Sequence, residues 1–382
     1  ALSSMSNTVT TSSTPLDIVL VLDMSGSMSQ SMTTGEQVTY NEVYSRNVQG
    51  SDAVERRSGR NTYYVQQDPG EYYVLVDGEY MLVQESVTQE THRNRWGQNQ
   101  QFNVHDYWYI NGADGSEIQV TPKTGQNDDT DGHYQFYTQR TQELTTTKIN
   151  ALKTAVNQFI KTTDQANASM PEGSKHEISI VKFANDVNNE IGNDRYYLND
   201  ANPNVNYSQV VTDFTSDATA LENYMDRLSP AGATQANYGM QLAQRVINGD
   251  SQYGLDGARE NSKRIVIFFT DGEPNDSSGW NGDVADSAID YARQLKTDAT
   301  NPVTIYSIGV FEDADPSETT DNSFNGYMNA VSSNYPDATG YIGQGYMSWG
   351  GWVSPNMGDR APDSNYYMAA TSSTELDDIF QQ

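Results

Sequence analysis

Ile18 to Leu22 is a run of five aliphatic residues with no polar alternation, followed at once by Asp, Met, Ser, Gly and Ser. Such a run predicts a strand buried on both faces, as in the middle of a parallel sheet. The pattern returns in "HEISIVKFAND" from His176, "RIVIFFTDG" from Arg264 and "VTIYSIGVF" from Val303, with "YYMAATSS" from Tyr366 supplying a last strand. Between these runs the apolar period changes to that of a helix. It starts at Leu144 and continues through Ile149, Leu152, Val156, Phe159 and Ile160. A further helix carries Leu221, Tyr224, Met225 and Leu228, with Ser216 or Asp217 as its cap and Pro230 and Gly232 as its stop. Met240, Ala243, Val246 and Ile247 mark another, and Val284 to Leu295, "FNGYMNAVSSNYP" and "TELDDIF" give three more. Strands alternating with helices predict an α/β fold: a doubly wound, mostly parallel central sheet with helices on both faces.

Residues 29–141 follow a different rule and predict an inserted β-rich arm. "YYVLVDGEYMLV" is two short β-rich runs around Asp77-Gly78, a hairpin signal, and "YWYINGADGSEIQV" leads a strand into a turn at Asn111-Gly112. Residues 337–363, rich in Gly and aromatics, read as a second, smaller insertion, and residues 1–15 as a Ser/Thr-rich linker. Val187 to Leu198 reads as an edge segment.

Composition narrows the partners. Lys and Arg number 22 against 51 Asp and Glu, a net charge of −29. So acidic a chain is repelled by phosphate backbones and anionic lipid, which argues against nucleic acid and membrane partners and favours cations. There is no cysteine, hence no disulfide, thiolate metal site or Cys nucleophile. No apolar run is long enough to suggest membrane insertion.

Three places offer oxygen ligands at strand ends or helix starts: Asp23, Ser25 and Ser27; Thr234 in "SPAGATQAN"; and Asp271 in "FFTDGEPND". The carboxyl ends of the strands are where open α/β sheets bind ligands. Oxygens suit a hard divalent cation. Neutral hydroxyls around such an ion leave it charge to spare, and it then attracts an external carboxylate. Gly26 is read as letting the loop turn so that both serines face one point. Glu273 is a further candidate beside Asp271.

D-x-S-x-S after an apolar strand, a distant Thr in a Gly-containing loop, and T-D-G after another apolar strand resemble the metal-ion-dependent adhesion site of von Willebrand factor A (VWA) domains. The resemblance covers residues 16–28 and most of 142–382. It implies direct metal contacts from Ser25, Ser27 and Thr234, contacts from Asp23 and Asp271 directly or through water, and a ligand Asp or Glu completing the shell. The implied cofactor is Mg2+, with Mn2+ or Ca2+ as alternatives. A VWA domain with a large insertion after its first metal loop is similar to the tip adhesins of sortase-assembled Gram-positive pili. That implies an extracellular, cell-wall-anchored or pilus-tip location. It also implies partners among matrix or host surface proteins and glycoproteins, and other pilin domains or subunits, with specificity from the inserted arm.

Blander and rival readings stand beside these. Asp23 to Ser27 taken alone suits a helix-capping loop. "NDDTDG" from Asn127 spaces Asn127, Asp129, Asp131 and Gly132 like the start of a calcium loop, a second cation site, but places Thr138 where the bidentate Glu belongs. Enzyme readings find little support. Ser25 stands where a phosphoryl-transfer motif needs a second Asp, and G-x-S-x-G fails at Met24 and Met28. The alternative function is a carbohydrate-binding or carbohydrate-cleaving module built on the Tyr- and Trp-rich arm.

Overall fold

The structure, a computed structural model, describes residues 14–45, 48, 54–58, 61–65, 71–185, 203–272, 280–317, 323–340 and 356–381. Most of the expected linker, the edge segment at Val187 to Leu198, Glu273 and the middle of the 337–363 insertion lie outside the described residues. Two compact units divide the chain: residues 1–35 with 145–382, and residues 36–144.

The first unit is built on six strands: β1 (Leu16–Asp23), β2 (Glu177–Phe183), β3 (Gln209–Thr215), β4 (Lys263–Thr270), β5 (Val303–Gly309) and β6 (Tyr367–Ala369). Their order across the sheet is β3-β2-β1-β4-β5-β6. All neighbours are parallel except the β2–β3 pair at one edge. Six helices complete the unit: α1 (Lys148–Asn167), α2 (Ala218–Arg227), α3 (Ala236–Asn248), α4 (Gly282–Lys296), α5 (Ser323–Val331) and α6 (Ser373–Gln381).

The unbroken apolar run of β1 is explained by both of its faces. Ile18, Leu20 and Leu22 join Leu152, Val156 and Phe159 of α1, Leu221 and Met225 of α2, and Leu376 of α6. Val19 and Val21 point the other way, into a cluster with Met240 and Val246 of α3, Ile289 of α4 and Met328 of α5. All eight residues of β1 are buried, and each large aliphatic side chain so placed stabilises the fold by about 1.5–3 kcal/mol. Asp217 is the α2 cap, its side chain accepting from Ala220 N at 3.1 Å. The first helix differs from expectation at its start: it begins at Lys148, capped by Thr147, while Leu144 lies in the preceding strand and is 41% exposed. Leu144 matches the helical period by coincidence, without a buried face to join.

Asp17, at the amino end of β1, is buried and fully bonded. Arg259 donates to it from Nη2 at 2.7 Å, from Nε at 3.0 Å and from its backbone N at 2.7 Å, and Ser262 Oγ adds a bond of 2.6 Å.

The second unit carries a four-stranded sheet formed around Gln84–Arg93, Asn99–Ile110 and Glu117–Pro122, and a second one that includes Tyr73–Val76 and Glu79–Leu82. Asp77 and Gly78 form the expected tight turn, both with positive φ (50° and 84°). The Asn111 turn is longer: Asn111 N donates to Ser116 O at 2.8 Å, and Gly115, not Gly112, takes the positive φ. A small core gathers Tyr72, Val74, Val83, Tyr107, Tyr109, Val120 and Phe136. Among the described residues no helix is long and apolar enough to cross a membrane.

Candidate metal centre

The sheet order reverses around β1 and β4, which lie side by side, so a crevice is expected at their carboxyl ends. Asp23 ends β1 and Asp271 follows Thr270 at the end of β4. After Asp23 the chain makes a short 3-10 turn, Gly26–Ser29, preceded by Ser25. Ser25 holds the capping position, yet its side chain caps nothing. Its Oγ instead meets Ser27 Oγ at 2.9 Å, and Ser27 Oγ donates to Asp271 Oδ1 at 2.8 Å. This removes the capping-loop reading, because the hydroxyls converge on one another and on a carboxylate from a distant strand.

Asp23 lies beneath them, fully buried. One carboxylate oxygen accepts from Ser25 N at 2.8 Å; the other accepts from Thr270 Oγ1 at 2.8 Å and Asp271 N at 3.2 Å. Burial, and then the neighbouring Asp271, push its pKa up to about 7. Lys148, the first residue of α1, reaches Asp271 Oδ2 with Nζ at 3.1 Å. A lysine is poorly placed at a helix amino terminus, where the backbone dipole is positive; here the carboxylate holds it. Of the two carboxylates this ammonium bonds Asp271, and it also donates to Gln30 Oε1 at 3.4 Å.

Thr234 is buried just before α3 and comes to the same corner: its Oγ1 lies 3.7 Å from where a side chain on Gly272 would begin. Two backbone ties hold its loop, Gly26 N to Gly232 O at 2.9 Å and Ala231 N to Met24 O at 2.8 Å. The steric need for glycine falls on Gly232, not Gly26. Gly232 has φ +89°, and an added Cβ would meet Asn185 O at 2.3 Å, whereas a Cβ on Gly26 would make only an ordinary contact at 3.6 Å.

The residues fit a hard divalent cation. They present hydroxyls and one carboxylate in contact, backed by a second buried carboxylate whose charge no ammonium of the described residues balances. Ser25, Ser27 and Thr234 would hold the ion with Asp23 and Asp271. It would supply a positive charge open to an outside carboxylate. Among the described residues no group of three or more His, Asp or Glu could hold a metal ion; the candidate centre is built instead from hydroxyls with two carboxylates. Asn127, Asp129 and Asp131 are exposed. Their loop is organised by Asp128 instead, which accepts from Thr124 N at 2.9 Å, Thr130 N at 3.1 Å and His133 Nδ1 at 2.7 Å. Hydrogen bonding from the Thr130 side chain first, then from His133 and the backbone of Thr124 and Thr130, holds the Asp128 carboxyl well below the usual range.

The sequence pattern does not single out Lys148 or Thr270. Thr270 carries a signal in retrospect, as the residue before Asp271 on a strand whose apolar run it ends. Lys148 carries none, since its role depends on where α1 starts.

Residues 137–273 match the von Willebrand factor type A domain family. No curated protein matches the chain in sequence. Among solved structures it is similar to proximal thread matrix protein 1 from the mussel byssus, at 12% identity over 61% of this chain and 41% of that one, with TM-score 0.35. That protein is also known with zinc in its MIDAS motif. The pilus adhesin SpaC from Lactobacillus rhamnosus GG is similar at 13% identity over 96% of this chain and 30% of SpaC, with TM-score 0.41. The vWF domain of the type V pili tip protein Mfa5 from Porphyromonas gingivalis gives 11% identity, coverage of 61% and 86%, and TM-score 0.31. The chain thus spans less than half the length of the byssus protein and of SpaC. With the family match starting just before α1 and ending just past Asp271, and with the sheet order already described, the α/β unit of this chain has the von Willebrand factor type A fold.

Proposed function

We propose that the chain is a cell-surface adhesin module, not an enzyme, and that it binds a carboxylate-bearing host or matrix protein through a divalent cation, Mg2+ first. Ser25, Ser27 and Thr234 hold the ion, with Asp23 and Asp271 behind them. The observation that carries this reading is the chain of contacts from Ser25 Oγ to Ser27 Oγ (2.9 Å) to Asp271 Oδ1 (2.8 Å) above a buried Asp23. Selectivity is assigned to the inserted arm on the ground of chain connection. Lys148 N donates to Gln30 O at 2.8 Å, so the insertion opens and closes directly after Ser27. An extracellular surface or pilus-tip location belongs to the same proposal.

The sugar-binding alternative rests on the arm's tyrosines. Tyr40 and Tyr80 stack at 3.7 Å, and Tyr73 and Tyr137 meet them edge-on. These rings spend their faces and edges largely on one another, which suits packing better than a platform for ligands.

Surface plasmon resonance against collagen, fibronectin, fibrinogen and mucin, in Mg2+ and in EDTA, tests the proposal. Binding to one of them should vanish in EDTA and in Asp271→Ala. It should also be lost when residues 36–144 are replaced by a short Gly/Ser linker, while Mg2+ binding persists. Binding that survives chelation would overturn the metal reading, and unchanged affinity without the arm would overturn its role in selectivity.

A further inference from the structure

One charge in the α/β unit sits where the pattern calls for an aliphatic residue. Ile178 and Ile180 of β2 face the core under α1 and α2, and Lys182 continues that row beside Leu22 of β1. Lys182 is 3% exposed. A buried ammonium is costly unless it is paired and hydrogen-bonded. Its one hydrogen bond among the described residues is long, from Nζ to Asn204 Oδ1 at 3.3 Å, and that oxygen already accepts from Ser229 N at 3.0 Å. Burial alone lowers the ammonium to a pKa of about 8.

Lys182 lines a cavity of about 300 Å3 together with Met24, Asn204, Asn206, Tyr207 and Ala231. Asn206 is 4% exposed, and its Nδ2 has no hydrogen-bond partner among the described residues, although its backbone N donates to Gln209 Oε1. Leaving such a donor unmet is costly. Lys182 and Asn206 thus border one space, each with an underused donor, and no carboxylate of the described residues is paired to Lys182. The volume sits at the lower bound for small-molecule sites. One positive charge balances a monoanion; a dianion would bring a second charge with nothing to meet it.

We infer that this cavity binds a small organic monocarboxylate, gripped by Lys182 Nζ and Asn206 Nδ2. The site is separate from the metal centre and does not depend on the metal reading, though Met24, between Asp23 and Ser25, forms part of its wall. The carboxylate would give the ammonium its missing partner and the amide its missing acceptor, in an environment where charge-assisted bonds are strong.

Acetate is the probe. It is titrated into the whole chain in resin-treated, metal-free buffer at constant ionic strength and followed by calorimetry and by the rise in Tm. Saturable binding in the millimolar range is expected for the wild type. Lys182→Met, which keeps the stem and removes the charge, should weaken it by about tenfold or more. Asn206→Asp places a carboxylate of the protein's own inside the cavity; it should abolish acetate binding and raise Tm without acetate. Absence of saturable binding to the wild type would overturn the inference, as would equal affinity in Asn206→Asp. If Lys182→Met does not fold, the Asn206→Asp result decides alone.

Discussion

The two ends of β1 each bury an aspartate, and they treat it in opposite ways. Asp17 is clamped by the Arg259 guanidinium and the Ser262 hydroxyl, so its charge is answered inside the fold. Asp23, six residues on, is bonded among the described residues by a hydroxyl and two backbone N–H groups, with a second carboxylate beside it. The amino end of the sheet is thereby finished as structure. The carboxyl end keeps an unbalanced charge, which is what a cation site requires. Among the described residues, the two buried carboxylates differ in whether a cation is bonded to them.

The largest effect tests the finished end. Arg259→Met should leave Asp17 buried and unpaired and cost about 3–5 kcal/mol in urea unfolding. A loss below 1 kcal/mol, roughly that of an exposed pair, would erase the contrast.

At the other end, Mg2+ at a hundred times its Kd should stabilise the unit by about 2.7 kcal/mol, read as a rise of a few degrees in Tm over EDTA. Asp23→Asn should remove most of that rise. No Tm response to millimolar Mg2+ would count against the centre.

The pH dependence of the metal-free protein gives the next test, and its sign follows from Asp23. With its pKa raised from 3.8 to about 7, the folded state keeps a proton that the unfolded state has already released. Stability contributed by this group is therefore fully present below pH 3.8, falls as pH rises through 7, and levels off above it. Asp23→Asn should flatten that decline. Mg2+ replaces the proton, so its stabilising effect should grow across the same window, with protons released on binding. A metal-free stability that rises toward pH 7 through this group would contradict the burial argument.

The smallest effect concerns Lys148, the only cation among the described residues that reaches the pair. Lys148→Met should tighten Mg2+ binding by roughly fivefold, on the order of 1 kcal/mol, because it removes a like charge that is partly solvent-screened. Weaker binding would show that the lysine orients Asp271 more than it competes with the ion.

Much of this was readable along the chain. Runs such as Ile18–Leu22 and Ile265–Phe269 allow no polar face, so they require cover on both sides and hence a sheet between helix layers. Asp77-Gly78 specified its own turn because the turn's positive φ values are a local matter. Asp23, Ser25, Ser27, Thr234 and Asp271 were legible because each sits where a strand ends or a helix begins. The first helix was misjudged at Leu144, since its start depends on Thr147 as cap and on the strand that runs into it.

What the sequence by itself determined is the local part: which segments are doubly buried, where they stop, and which oxygens stand at the stops. Periodicity and turn chemistry are properties of neighbouring residues, and they survive without any knowledge of the rest of the chain. Only the tertiary structure decided how charges are answered. Arg259 meets Asp17 across 242 positions, Thr270 braces Asp23 across 247, Lys148 reaches Asp271 across 123, and Lys182 is left facing a cavity. Those pairings depend on which distant elements the sheet order brings to each end of β1, and electrostatic energy depends on distance in space and on burial, neither of which is written in the spacing of residues.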